Sequence, residues 1–138
     1  MSSTEVPEAA PGEVTFTLAW ENTDDGLRGM LEAVNVSDHP VRLTGKPGVT
    51  PVGTDGIKLD TTTIVSLEAL IPGYVVLEPG ERATSPVYWS AWSGPNAGDT
   101  VIVEWNGCEA EAAVTGPRQP VSREGATNLS TSWFAKAD

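Results

Sequence analysis

A chain of 138 residues with 39% hydrophobic and 20% charged side chains can form one domain burying about two-thirds of its unfolded surface, and it lacks the composition of a disordered segment. Nineteen acidic against eight basic side chains give a formal charge of −11, which repels phosphate backbones and argues against a nucleic-acid partner. The lone Cys108 leaves no intramolecular disulfide, and no apolar run approaches the ~20 residues of a transmembrane helix. The acidic surplus reads first as a solvated surface that keeps the chain soluble, with a negative face steering a basic partner, or an acidic mimic of nucleic acid, as the sharper alternative.

Residues 1–12, ending Glu8-Ala9-Ala10-Pro11-Gly12, are small, polar and proline-bearing, and read as a flexible N-terminal arm. Met1-Ser2-Ser3-Thr4-Glu5 has neither the basic start nor the apolar run of an export signal. The chain as given therefore reads as cytoplasmic; a cell-envelope or secreted setting would need a signal already removed. Glu13 to Trp20 alternates, with Val14, Phe16, Leu18 and Trp20 on one face, and predicts a half-buried strand. Leu27 to Val36 predicts a second, with Leu27, Gly29, Leu31 and Ala33 inward against Arg28, Met30, Glu32 and Val34. Short strands follow at 41–44, 49–52 and 57–59. Residues 60–73 read as a long connection between sheets.

Residues 74–93 are the centre of the pattern. Two β-prone runs flank Glu78-Pro79-Gly80-Glu81, where Pro fixes φ and Gly supplies the positive φ of a type II turn. Thr100 to Glu111 predicts a hairpin about Asn106-Gly107, pairing Trp105 with Cys108 and Val103 with Ala110. That register opposes Glu104 and Glu109, so a cation is expected beside them, such as an arginine from an adjacent strand or a partner. Residues 116–138 read as a linker and a C-terminal tail. Its Trp133-Phe134 pair either docks on the domain or anchors a partner. Fourteen Gly and eleven Pro punctuate these runs. About seven short strands without a long amphipathic helix point to an all-β, two-sheet sandwich of immunoglobulin type over residues 13–115. Its predicted core is Val14, Phe16, Leu18, Leu31, Ala33, Leu43, Val49, Val76, Ala83, Val87, Trp89, Val101, Val103 and Ala112.

Leu31-Glu32-Ala33-Val34-Asn35-Val36-Ser37, then Val41 to Val49, then Leu77 to Ala83 and Tyr88-Trp89 resemble an actinobacterial domain family of unassigned function. That resemblance implies an immunoglobulin-like sandwich, often carried by exported lipoproteins and cell-envelope proteins, and brings no catalytic residues with it. Relatives often bridge a cysteine of the third strand to a later one; here Val41 stands at that place and Cys108 is left alone.

Trp89-Ser90-Ala91-Trp92-Ser93 is similar to the Trp-Ser-x-Trp-Ser box of animal cytokine-receptor and thrombospondin domains, where indoles stack with arginines. Arg28, Arg42 and Arg82 are scattered and form no evident row. On a regular strand Trp89 and Trp92 face opposite sides, so an inward Trp89 predicts Trp92 outward beside Tyr88. Tyr88, Trp92, Trp133 and Phe134 are the candidate partner-binding residues. Their aromatic rings favour a non-enzymatic protein–protein interaction domain or accessory subunit; an envelope-associated module for a glycan or small ligand, with Trp92 as stacking platform, is the alternative. Catalysis finds little support. His39 precedes a proline in a turn, Cys108 reads as an inert inward thiol, and no phosphate loop, nucleophile elbow or metal-spaced set appears. Asp24-Asp25, Asp55, Asp60 and Asp99 lack calcium-loop spacing, so no metal or cofactor is expected. Asn35-Val36-Ser37 and Asn128-Leu129-Ser130 match the glycosylation sequon, a frequent chance match.

Overall fold

The computed structural model describes residues 6–24, 26–61, 74–105, 107–121, 123–124 and 127–137. Strand β1 (Val14–Thr23) and strand β2 (Gly26–Asn35) pair antiparallel from Val14↔Asn35 to Thr23↔Gly26. Their alternation is the predicted one: Val14, Phe16, Leu18 and Trp20 are buried against Leu27, Leu31 and Ala33. Gly29 gives the Trp20 indole its space, since a Cβ there would lie 2.7 Å from the ring.

The next apolar run is broken in two. β3 (Val41–Thr44) and β4 (Gly48–Gly53) are separated by Gly45, whose φ of +80° redirects the chain. β3 pairs with β5 (Tyr74–Leu77), whereas β4 pairs with β7 (Ala97–Trp105), so one stretch serves two sheets. Inward positions of β5 are Val75 and Leu77, which leaves the predicted core residue Val76 only half-buried. The turn into β6 (Arg82–Ser90) is as predicted: Glu81 N–H donates to the Glu78 carbonyl at 2.9 Å, and Gly80 has φ of +84°. Asn35 holds this turn from beneath, donating from Nδ2 to the Leu77 carbonyl at 2.8 Å.

β7 and β8 (Cys108–Thr115) form the predicted hairpin, with Trp105↔Cys108, Val103↔Ala110 and Glu104↔Glu109 opposed; Asn106 lies outside the described residues. The expected cation is Lys58, whose Nζ is 3.5 Å from Glu109. It comes from a segment bridged to β4 at Val52↔Lys58.

β9 (Asn128–Thr131) and β10 (Ala135–Ala137) both pair with the outer edge of β6. The larger sheet runs β10-β6-β2-β1-β8-β7-β4, with β9 beside β6. Its pairings are antiparallel except β1 with β8, which run parallel from Phe16↔Ala112 to Ala19↔Thr115. The sheet curls until its ends nearly meet, where the Thr131 hydroxyl of β9 donates to the Pro47 carbonyl ahead of β4 at 2.6 Å. β3 and β5 form a small second sheet, and Trp89, Trp105, Leu18 and Leu31 fill the interior. All ten strands and no helix are found among the described residues.

Two stretches differ from the sequence reading. The supposed tail supplies β9 and β10, because Leu129 is fully buried and Phe134 nearly so. Residues 7–9 of the supposed arm run along β3: Ala9 N–H donates to the Arg42 carbonyl and Arg42 N–H to that of Pro7, at 2.8 and 2.9 Å. The Trp105 indole then donates to the Ala9 carbonyl at 3.0 Å. The connection read over 60–73 lies, from residue 62 on, outside the described residues.

Candidate interaction face

The four aromatic candidates part company in the structure. Trp92, expected outward, is only 5% exposed. The alternation behind that expectation ends at Ser90, and Ala91 adopts a φ of +49°, which turns the next side chain back inward. The Trp92 ring lies 5.6 Å from Trp89 and over Gly94, and its indole donates to the Pro95 carbonyl at 2.7 Å. A glycan-stacking platform at Trp92 is therefore absent. Among the described residues no arginine stacks on this box; Arg42 instead lies over Tyr74, 5.6 Å from its centroid.

Phe134 is 9% exposed and 6.3 Å from Phe16, with Trp133 half-buried beside it in the chain. The pair docks on its own domain. Ser85, itself buried, donates to the Ser132 carbonyl at 2.6 Å, and Ser132 N–H reaches the Pro86 carbonyl at 3.1 Å.

Tyr88 alone of the four is open to solvent, at 49%. Strand registers place it level with Arg28 and Ser130, and place Ala19, Met30 and Pro86 in the next row. An open groove of about 460 Å³ lies over these rows on the outer face of β1, β2 and β6, lined by Ala19, Glu21, Arg28, Met30, Pro86 and Tyr88. Met30 is 45% exposed at its centre. Arg28 pairs with Glu21, its Nε 3.0 Å from Oε1, and this pairing raises the guanidinium pKa further. Arg82 pairs with Glu32 at 3.4 Å on the same face. Apolar atoms thus sit among charges that cancel. Sequence reasoning placed Met30 outward with Arg28 and Glu32 yet did not single it out; a thioether standing alone between charges on an exposed strand face was the signal.

His39 lies on the loop after β2. Its Nδ1 is 3.0 Å from Asp38 and its Nε2 is 2.6 Å from Glu13. The hydrogen bond to Asp38 first, then the Glu13 carboxylate, raises the imidazole pKa above its ordinary value. When the ring is protonated both nitrogens donate, tying the loop to Glu13 just ahead of β1. The neighbouring Ser37 hydroxyl is 2.7 Å from Asn35 Oδ1 and 2.9 Å from the His39 carbonyl oxygen. Asn35 of the first sequon is completely buried and donates to the Leu77 and His39 carbonyls, leaving no room for a glycan. Among the described residues no group of three or more His, Cys, Asp or Glu is placed to hold a metal ion. Among the described residues no helix is long and apolar enough to cross a membrane.

A family model described as a domain of unknown function (DUF4232) matches residues 9–134, and the chain belongs to that family. The match begins at Ala9 and ends at Phe134, the first and last buried apolar residues among those described. No curated protein matches the chain.

Proposed function

We propose that the chain is a non-enzymatic immunoglobulin-like domain that works by protein–protein contact, as an interaction module or an accessory subunit of a larger assembly. The immunoglobulin-like reading is supported by the strand order β6-β2-β1-β8-β7-β4 and by the first long strand running parallel to β8. The observation that carries the function is the outer face of β1, β2 and β6: Met30 and Tyr88 stand open to solvent at its centre, ringed by paired charges. Tyrosine, methionine and arginine are enriched where proteins touch, and partners close over apolar centres with polar rims. Affinity capture from a source lysate tests the reading, with the wild-type chain compared with Tyr88→Ser/Met30→Ser. A specific partner retained by the wild type and lost from the double variant is expected; identical captured sets would overturn it.

A further inference from the structure

On the outer face of β2 the successive outward residues are Arg28, Met30 and Glu32, so charge reads plus, neutral, minus along the strand. Level with Met30 lie Ala19 on β1 and Pro86 on β6, giving a neutral row across three strands. Charge along β2 is therefore antisymmetric about that row, while Glu21 on β1 and Arg82 on β6 each sit beside a β2 residue of opposite sign. We infer that this face pairs with the same face of a second copy of the chain, about a two-fold axis running along the row Ala19, Met30, Pro86.

Such an axis lays each strand antiparallel over its own counterpart. Met30 meets Met30 of the second copy. Arg28, about 7 Å along the strand from the axis, comes to lie over Glu32 of the second copy, and Glu32 over its Arg28. An isologous contact demands this self-complementarity, in which residue i meets j and j meets i. Existing pairs do not oppose it. Arg28–Glu21 and Arg82–Glu32 are exposed, and ion pairs of that kind contribute little and exchange partners readily.

Net charge limits where two copies can meet. Each chain carries −11, so they repel except where charges balance. Glu21, Arg28, Glu32 and Arg82 sum to zero on this face. The outer face of the β7–β8 hairpin does not balance, with Glu104, Glu109 and Glu111 set against Lys58. A basic partner would select the hairpin face, whereas a second copy is excluded from it.

The inference rests on the outer face being a contact surface, and its test separates the two ideas. Sedimentation equilibrium of the full chain, from about 1 μM to about 1 mM, covers the range in which transient contacts form. The wild type is expected to dimerise. Met30→Glu, Arg28→Glu and Glu32→Arg should each weaken the dimer about tenfold or more, since each places like charges or a buried charge at the contact. The double reversal Arg28→Glu/Glu32→Arg should restore it to within about threefold, because the pairs re-form with exchanged signs. A wild-type chain that stays monomeric throughout, or a dimer indifferent to Met30→Glu and to both single reversals, or a double reversal no better than the singles, would overturn the inference. Loss of captured partners from Tyr88→Ser/Met30→Ser in a monomeric chain would preserve the interaction reading and reject self-pairing.

Discussion

Ala91 decides the fate of the most conspicuous motif in the chain. With φ at +49° it ends the alternation of β6, and the Thr127 hydroxyl donates to its carbonyl at 2.8 Å, fixing the reversal. Trp92 then packs where Gly94 leaves room; a Cβ on Gly94 would lie 2.4 Å from the ring. Gly94→Ala is accordingly expected to destabilise the fold by about 1–3 kcal/mol, the usual result of overpacking. Urea unfolding with near-ultraviolet circular dichroism checks it, and an unchanged midpoint and unchanged tryptophan signal would be the contrary result. His39 gives a prediction in pH. Its folded pKa is raised above the ordinary 6.5, so its contribution is complete below about pH 6.5 and is lost as pH rises through the raised value. The Asp38 carboxyl is held below its ordinary 3.8 by the His39 hydrogen bond, so that contribution is lost as pH falls through the lowered value. In thermal unfolding at stepped pH, the gap between wild type and His39→Gln should be widest between these limits and close on the alkaline side. A gap that widens as pH rises past neutrality contradicts the assignment.

At the scale of elements, the C-terminal segment carries the sharpest stability claim. Leu129 is fully buried, and β9 and β10 complete the free edge of β6. Leu129→Ala should cost about 2–5 kcal/mol, the range for removing a buried leucine from a core. A separate, dispensable tail would instead show a change near zero in denaturant unfolding. β9 and β10 were not legible in the sequence, for a physical reason. Asn128 to Thr131 and Ala135 to Ala137 are short and weakly alternating, and they become strands because β6 offers them an edge. Residues 7–9 are similar: Pro7 to Ala9 hold no strand pattern, and it is β3 and the Trp105 indole that order them. Where local pattern and tertiary setting agree, the reading succeeded. Val14 to Trp20 show their face by alternation alone, Asn106-Gly107 fixes the hairpin register, and that register's opposed carboxylates anticipated a cation, although as an arginine and not Lys58. Tyr88 was legible as an exposed aromatic by the same alternation. Trp92 was not, because one left-handed residue overrides the period.

For the whole molecule, the matched family span of residues 9–134 begins and ends on buried core residues, Ala9 and Phe134, and takes in β9. Within that span charge is unevenly spread. The outer face of β1, β2 and β6 is balanced and apolar at its centre, whereas the β7–β8 hairpin presents opposed acids. That asymmetry underlies the proposed function, and covalent capture reads it directly. A photoreactive residue placed at Tyr88 and, separately, at Glu104 reports which face is covered when the chain is irradiated at high concentration and in source lysate. Adducts from position 88 with few from position 104 are the predicted result, and an adduct of twice the chain mass would mark the second copy. Adducts arising chiefly from position 104, or from neither position, would contradict the account.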